Sequence, residues 1–508
     1  MEQKRQIAKN LIFNTISFGI NFAISFLFTP YLIRTVGKEA YSFFPLVNNI
    51  IGYSSILTAA VGSMGGRFIT MSIYQNDKEG ANQYFNSVWV ANIFLSILFT
   101  IVSILAVIFI SDFLTVPKYL ETDVQWLFAF GAMSMILGLI TGLFGIGTYV
   151  KNRLDLSASR NVLINVIRVL CILLLFYIFK PTIIFMSMSA FIAAIVGVYF
   201  NLSFKRRLLP ELSVNPKKYF SWVKIKETTF SGMWNSVNQL SNVLLQQVDL
   251  LIANIFIGAS VTGDLSIAKT APILILNLLG ILSGSFLPHF NILFAKGEQN
   301  LLIAEINKAM IIVCFFICIP LGFLTVFSED FFKLWVPSEN SLILYYLSIL
   351  SILPMIIGGS VNPIFGVFTI TNNLKIPSLV LLISGIFNTF FIILLLKKTN
   401  LGFWAIPLVS AIQMTLRNFF FTTIYGALCL NQKWYTFYPS VFKGLLGMLV
   451  VVCCGLMFKH FVSVDNWQAF FCVFAGVSML SMFCNGFVML NSTDRKYIVS
   501  KVMARLRR

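Results

Sequence analysis

Long apolar runs alternate with short polar breaks along nearly the whole chain. A helix needs about 20 mostly apolar residues to cross the ~30 Å hydrocarbon core of a bilayer, so each run of that length predicts one transmembrane helix. About fourteen runs qualify: 11–33, 42–63, 84–110, 124–147, 161–179, 182–203, 229–258, 264–287, 306–327, 341–369, 377–396, 403–426, 442–458 and 467–490. Runs five and six are separated only by Lys180-Pro181. The first run is too long and too polar for a cleaved signal peptide, so it is expected to remain as span 1. The runs are continuous, whereas the strands of a transmembrane β-barrel alternate apolar with polar residues. The expected fold class is all-α, a polytopic membrane protein.

Composition agrees. Of 508 residues, 58% are hydrophobic and only 11% charged, against roughly 25% charged in a soluble domain. A soluble enzyme, a secreted disulfide scaffold and a disordered hub are excluded. The net charge of +18 would suggest nucleic acid in a soluble protein. Here the basic residues flank apolar runs, with no zinc spacing, base-reading helix or RNP-like motif, so no nucleic-acid partner is expected. The eight cysteines show no CxxC pattern, and His289 and His460 have no neighbouring ligands, so no metal site is expected.

Lysine and arginine set orientation, because basic loops are retained in the cytoplasm. An amino terminus inside gives the cytoplasmic loops and tails about three times the basic residues of the outer loops. An even number of spans puts both termini inside, and both tails are basic: Lys4, Arg5 and Lys9 at one end, Arg495, Lys496, Lys501, Arg505, Arg507 and Arg508 at the other. The longest polar segment between spans, 204–228, carries seven basic residues and is read as a cytoplasmic linker that attracts anionic lipid. The expected organisation is an N-lobe at 1–203 (spans 1–6), the linker at 204–228, a C-lobe at 229–426 (spans 7–12), and spans 13–14 with a basic tail at 427–508.

Spans 1 and 7 each carry a polar row. Span 1 has Asn10, Asn14, Ser17, Asn21 and Ser25; span 7 has Asn235, Asn238, Asn242, Gln246 and Asp249. Spacings of three and four put each set on one helical face. Amides facing lipid are costly, so both rows are expected to face water or other helices. Either interhelical hydrogen bonds or a hydrated cavity would satisfy them, and the parallel between the two putative lobes favours the cavity.

Each of these spans closes in a comparable turn, Pro30 to Gly37 and Tyr41 in the first and Asp249 to Gly258, Thr262 and Gly263 in the second. Together with Arg67 after the glycines Gly62, Gly65 and Gly66, Pro288 closing span 8, and the Phe331-Phe-Lys-Leu-Trp335 segment, this pattern resembles the multidrug/oligosaccharidyl-lipid/polysaccharide (MOP) exporter superfamily. Within it, the chain is most similar to the Wzx-type flippases of O-antigen and capsule repeat units. It departs from the pattern at Leu265, where an aromatic residue is usual. The resemblance runs through most of residues 10–430. It implies two six-helix lobes around a central cavity that opens alternately to each side of the bacterial cytoplasmic (inner) membrane, with spans 13 and 14 as additions. It also implies the cargo, an oligosaccharide on undecaprenyl pyrophosphate used in lipopolysaccharide or capsule assembly, and polysaccharide polymerase machinery as a partner.

Ionisable residues inside the spans are functional candidates by default, each costing about 2.5–3.5 kcal/mol on insertion scales. They are Arg168, Lys269, Lys308, Arg417 and Lys443, with one acid, Asp249. Lys443 is close enough to a span end to snorkel. A pyrophosphate in hydrocarbon needs fixed cations more than its sugars need hydroxyl partners. Arg168, which continues a face with Asn161 and Asn165, and Arg417, four residues after Gln413, are the expected pyrophosphate ligands; Lys308 stands at the entrance. Lys269 is a further cationic candidate, and it either pairs with Asp249 or leaves that acid to bind a driving H⁺ or Na⁺. No other cofactor is expected. Prolines 30, 272, 320, 354 and 363 and Gly358-Gly359 are candidate bends for a rocking motion.

Two relatives of the superfamily are weighed against this. A cation or drug antiporter of the MATE type should offer carboxylates to its cargo, whereas the spans here are mainly basic. A lipid II flippase should carry an arginine-rich span 1, whereas this one is lined by amides up to Arg34. An enzyme is not expected, because the outer loops are short and lack histidine and no GxxxxGK[ST] pattern occurs.

Overall fold

The computed structural model describes residues 2–490, with the side chains of residues 2–5, 7, 8 and 11 excepted. The basic tail from Arg495 to Arg508 and the side chains of Lys4 and Arg5 therefore lie outside the described residues. The described chain is helical, with no strand. Its contacts divide it into one unit that runs through Gly263 and takes in Leu381–Ile386, and a second formed by Asp264–Val380 and the chain from Phe387 on.

The first unit contains α1 (Glu2–Val36), α2 (Lys38–Gly52), α3 (Ser55–Tyr74), α4 (Lys78–Phe113), α5 (Glu121–Gly142), α6 (Gly147–Val150), α7 (Leu154–Ile178), α8 (Ile184–Leu208), α9 (Pro216–Tyr219), α10 (Trp222–Asn242) and α11 (Val248–Phe256). Gly37, at φ 87°, separates α1 from α2 in a backbone conformation that favours glycine. Asp77 caps α4 by accepting from the Gly80 N–H at 2.8 Å, as an N-terminal aspartate should. The expected second span, 42–63, is replaced by a broken helix: α2 stops at Gly52, Tyr53 and Ser54 turn, and α3 continues to Tyr74. Of the glycines before Arg67, Gly65 serves packing inside α3. A Cβ at Gly65 would sit 2.9 Å from a Val88 methyl carbon, so α4 approaches α3 there. The core of this unit gathers Ile69, Phe85, Val88, Leu209 and Leu212.

The second unit contains most of α12 (Ala259–Gly284), then α13 (Leu287–Ala295), α14 (Gln299–Trp335), α15 (Ser341–Val361), α16 (Phe365–Ile370), α17 (Lys375–Lys398), α18 (Ala405–Leu416), α19 (Thr423–Leu428), α20 (Tyr438–Phe461) and α21 (Trp467–Val488). Asn340 and Asn466 cap α15 and α21 by accepting backbone N–H groups. The core here joins Phe290, Ile306, Met310, Ile364, Phe368 and Phe437.

Twelve helical segments among the described residues are long and apolar enough to cross a membrane. Many of their large apolar side chains point outward, Ile104, Leu170, Phe390 and Met479 among them, as lipid-facing positions require. The expected spans 229–258 and 403–426 are not among the twelve. Both runs are helical, but each is interrupted by one π-helical turn, Val243–Gln247 in the first and Arg417–Thr422 in the second. The count of fourteen therefore depends on whether these two interrupted helices cross.

The segment between α8 and α10 is held in place. Three polar side chains of α4 act as a ladder for its backbone. Asn82 accepts from the Ser213 N–H at 2.7 Å and donates to the Glu211 carbonyl at 3.2 Å. Asn86 accepts from the Asn215 N–H and donates to the Ser213 carbonyl, both at 2.8 Å, and Ser87 accepts from the Ser221 N–H at 2.9 Å. Lys224 donates to the Tyr84 hydroxyl at 3.1 Å; that bond, with Glu227 nearby, holds its ammonium above the usual lysine range.

Candidate functional site

In the first unit the polar row of α1 faces the start of α7. Asp155, 2% exposed, receives Lys9 at 3.0 Å and the Arg153 guanidinium in a two-bond fork at 3.0 and 3.1 Å. Gln6 donates to the same carboxylate at 2.8 Å. Asn10 completes the knot, accepting from the Asp155 N–H and donating to Asn152, each at 3.0 Å. Arg153 lies outside the helices, and its bond to Asp155 raises its pKa above the ordinary arginine value. Deeper along α1, Asn21 accepts from Asn165 at 2.7 Å. Part of the first polar row is thus used in helix-to-helix bonds, which satisfy amides inside an apolar setting. Asn14 remains exposed.

Arg168 sits half-buried on α7 and makes no hydrogen bond or ion pair to the described protein. Asn161, on the same helix, accepts from Arg160. Arg160 itself was passed over in the sequence, where 151–160 looked like loop; the helix already begins at Leu154. Its guanidinium reaches Asn201 of α8, Ser157 and Asn161.

The second polar row is split. On α10, Asn235 donates to Ser63 at 2.9 Å. Gln239, outside the predicted row, donates to Ser55 at 2.8 Å. Gly232 permits this contact with α3, since a Cβ there would lie 2.0 Å from the Ala60 carbonyl oxygen. Asn238 is half-buried, Asn242 and Gln246 are exposed, and Asp249 is buried. The π turn at Val243–Gln247 lies inside this row. It adds one residue to the helical repeat, so Gln246 and Asp249 no longer share the face expected from a continuous α-helix.

In the second unit, Arg417 opens the other π turn. Its Nη2 donates to Asn418 at 3.2 Å, while Nε and Nη1 are buried with no acceptor among the described residues. The Gln413 amide oxygen one turn earlier is also buried without a donor. Lys308 is about half exposed and lies 3.8 Å from Glu305, which His289 also approaches at 3.8 Å. Lys269 is half-buried on α12. Asp249 and Lys269 belong to different units. Among the described residues no cluster of His, Cys, Asp and Glu is arranged to hold a metal ion.

Helices of membrane-spanning length with polar side chains buried among them define a polytopic membrane protein. The lipid II flippase MurJ, in an inward closed conformation, shares the fold: TM-score 0.68 at 14% identity, over 95% of this chain and 97% of that one. An inward-facing multidrug resistance transporter of the MATE family, in the MOP superfamily, matches with TM-score 0.58 at 14% identity, over 90% and 99% of the two chains. In sequence, the uncharacterized membrane protein EpsK of Bacillus subtilis (strain 168) is 29% identical over 466 residues, 91% of each chain. The model of the polysaccharide biosynthesis protein family matches residues 7–294, and the chain belongs to that family. The expected resemblance to the polysaccharide branch of the MOP superfamily holds.

Proposed function

We propose that this protein moves an oligosaccharide linked to undecaprenyl pyrophosphate from the inner to the outer leaflet of the bacterial cytoplasmic membrane, by alternating access. The observation that carries the reading is Arg417. A buried guanidinium with two donor nitrogens lacking acceptors among the described residues carries a desolvation cost that its one bond, to Asn418, offsets only in part. An oxyanion of the carrier lipid supplies acceptors in the geometry a guanidinium fork prefers. Arg168, on the first unit, is a second cation with no partner among the described residues and offers the same kind of donors to a pyrophosphate. Lys308 and Lys269 add positive charge along the path, and the amides on α1, α7, α10 and α18 offer hydrogen bonds to sugar hydroxyls. In this reading an H⁺ or Na⁺ gradient drives the cycle, both termini are cytoplasmic, and no covalent chemistry is performed.

The family supports a glycan cargo, and the basic interior supports an anionic carrier over a cationic drug. The test is deletion of the gene in its host, followed by analysis of lipid-linked glycans. Repeat units are expected to accumulate on the cytoplasmic side, restored to export by the wild-type chain. Accumulation of peptidoglycan precursor would replace this reading with a lipid II flippase; no accumulation of either would remove it.

A further inference from the structure

Within the first unit lies a cavity of about 360 Å³ bounded by α3, α4, the α5–α6 segment and the first turns of α7, at the small end of ligand pockets, which run about 300–1,000 Å³. It is separate from Arg417, and Arg168 does not line it. Arg160 is its one charged lining residue among the described residues. Asn201, Asn161 and Ser157 hold that guanidinium by neutral oxygens alone. The nearby acid on the same helix, Asp155, is already shared by Lys9 and Arg153. The cavity therefore presents a positive charge that is oriented by the protein and not neutralised by it.

The rest of the wall suits a small polar ligand. Asn92 of α4 lines the cavity, and its side-chain amide bonds to no described protein group. Thr148 and Ser157 add hydroxyls. Gly62, Gly138 and Gly142 form much of the remaining surface, and a Cβ at any of them would meet nothing within 4 Å. No packing demands a glycine at these three positions; what a side chain would take up there is open space. Gly145 is different: a Cβ would come 2.9 Å from the Asn201 oxygen and 3.2 Å from an Arg160 nitrogen, so its absence allows those two groups to meet.

We infer that this cavity is a second headgroup site, in which Arg160 binds the phosphoryl group, and Asn92 and the hydroxyls bind the adjoining sugar ring, of a phosphate-linked glycolipid. The inference rests on the transport reading for its ligand class, and it assigns that ligand a station within one unit, apart from Arg168 and Arg417. The volume suits one sugar ring with its phosphoryl group, so the site recognises the carrier end of the cargo and leaves the outer sugars free.

The experiment measures binding to the purified full-length protein in detergent. The probes are undecaprenyl pyrophosphate bearing one sugar, phosphatidylglycerol and inorganic pyrophosphate; the variants are Arg160→Gln and Gly138→Leu. The second fills the cavity at a position with room for a side chain and leaves Arg160 in place, so a fold lost in one variant does not decide the matter. The expected result is loss of one of two bound sugar lipids in both variants, the lipid bound through Arg168 or Arg417 remaining, with little change for the other two probes. Unchanged sugar-lipid binding in the folded variants overturns the site. An equal loss for phosphatidylglycerol overturns the sugar assignment and makes this a phospholipid pocket; an equal loss for inorganic pyrophosphate makes it a simple anion site. A protein that binds normally but exports nothing fails the transport reading alone, so the two failures are distinct.

Discussion

An arginine inside a membrane protein has either been given acceptors by its own chain or been left to find them elsewhere, and the two cases respond oppositely to mutation. Arg160 is of the first kind in its hydrogen bonds, held by the neutral oxygens of Asn201, Ser157 and Asn161, which orient its charge without neutralising it. Arg417 is of the second, with two buried nitrogens lacking acceptors. Removing a partnered buried charge strands its partners and destabilises. Removing Arg417 strands only one bond, to Asn418, and relieves the cost of a buried charge. Arg417→Gln is therefore expected to leave the unfolding temperature of the purified protein unchanged or raised while polymer export falls at least tenfold. A drop in stability matching the loss of export would instead make Arg417 a structural residue. The sequence named Arg417 and Arg168 because a charge inside an apolar run is visible without any geometry. It missed Arg160 because the polar run Lys151-Asn-Arg-Leu-Asp155 reads as loop, whereas Asp155 is buried by Lys9, Gln6 and Arg153, and the helix starts at Leu154. Charges that neutralise one another across elements distant in sequence leave no local trace.

At the scale of the element, hydropathy located nearly every helix, since a bilayer imposes its thickness on sequence directly. What it could not locate were the interruptions. The π turns at Val243–Gln247 and Arg417–Thr422 contain no proline or glycine and no signal in a 3.6-residue pattern, yet each rotates everything beyond it. The basic segment after α8 was legible as a charge run, but not its attachment, because three short polar side chains on α4 look like ordinary helix surface. Asn86 is fully buried and holds one N–H and one carbonyl of that segment. Asn86→Ala leaves both groups to find new partners, at about 1–3 kcal/mol for each that fails. The expected outcome is faster tryptic cleavage after Lys217 and Lys218, both exposed, with the helices themselves intact. Cleavage at the wild-type rate would show that Asn82 and Ser87 suffice.

For the whole molecule the open variable is direction, and one helix is long enough to report it. α14 runs from Gln299 to Trp335, 37 residues, about 55 Å at 1.5 Å per residue, against a hydrocarbon core of ~30 Å. Its two ends must therefore reach water on opposite faces. On the fourteen-span reading the distribution of basic residues is expected to put Glu298 in the cytoplasm and Ser338 outside, and both positions are exposed. Cysteine substitutions there separate the two orientations. The native Cys453 and Cys472, although exposed, lie on membrane-length helices, where the hydrocarbon core keeps a water-soluble maleimide away from them. An impermeant maleimide added to intact cells is expected to label Ser338→Cys at once and Glu298→Cys only after permeabilisation. The reverse pattern would turn the molecule over. The cytoplasmic loops would then be the poorer in lysine and arginine, against the rule that basic loops stay in the cytoplasm, and the proposed direction of transport would reverse.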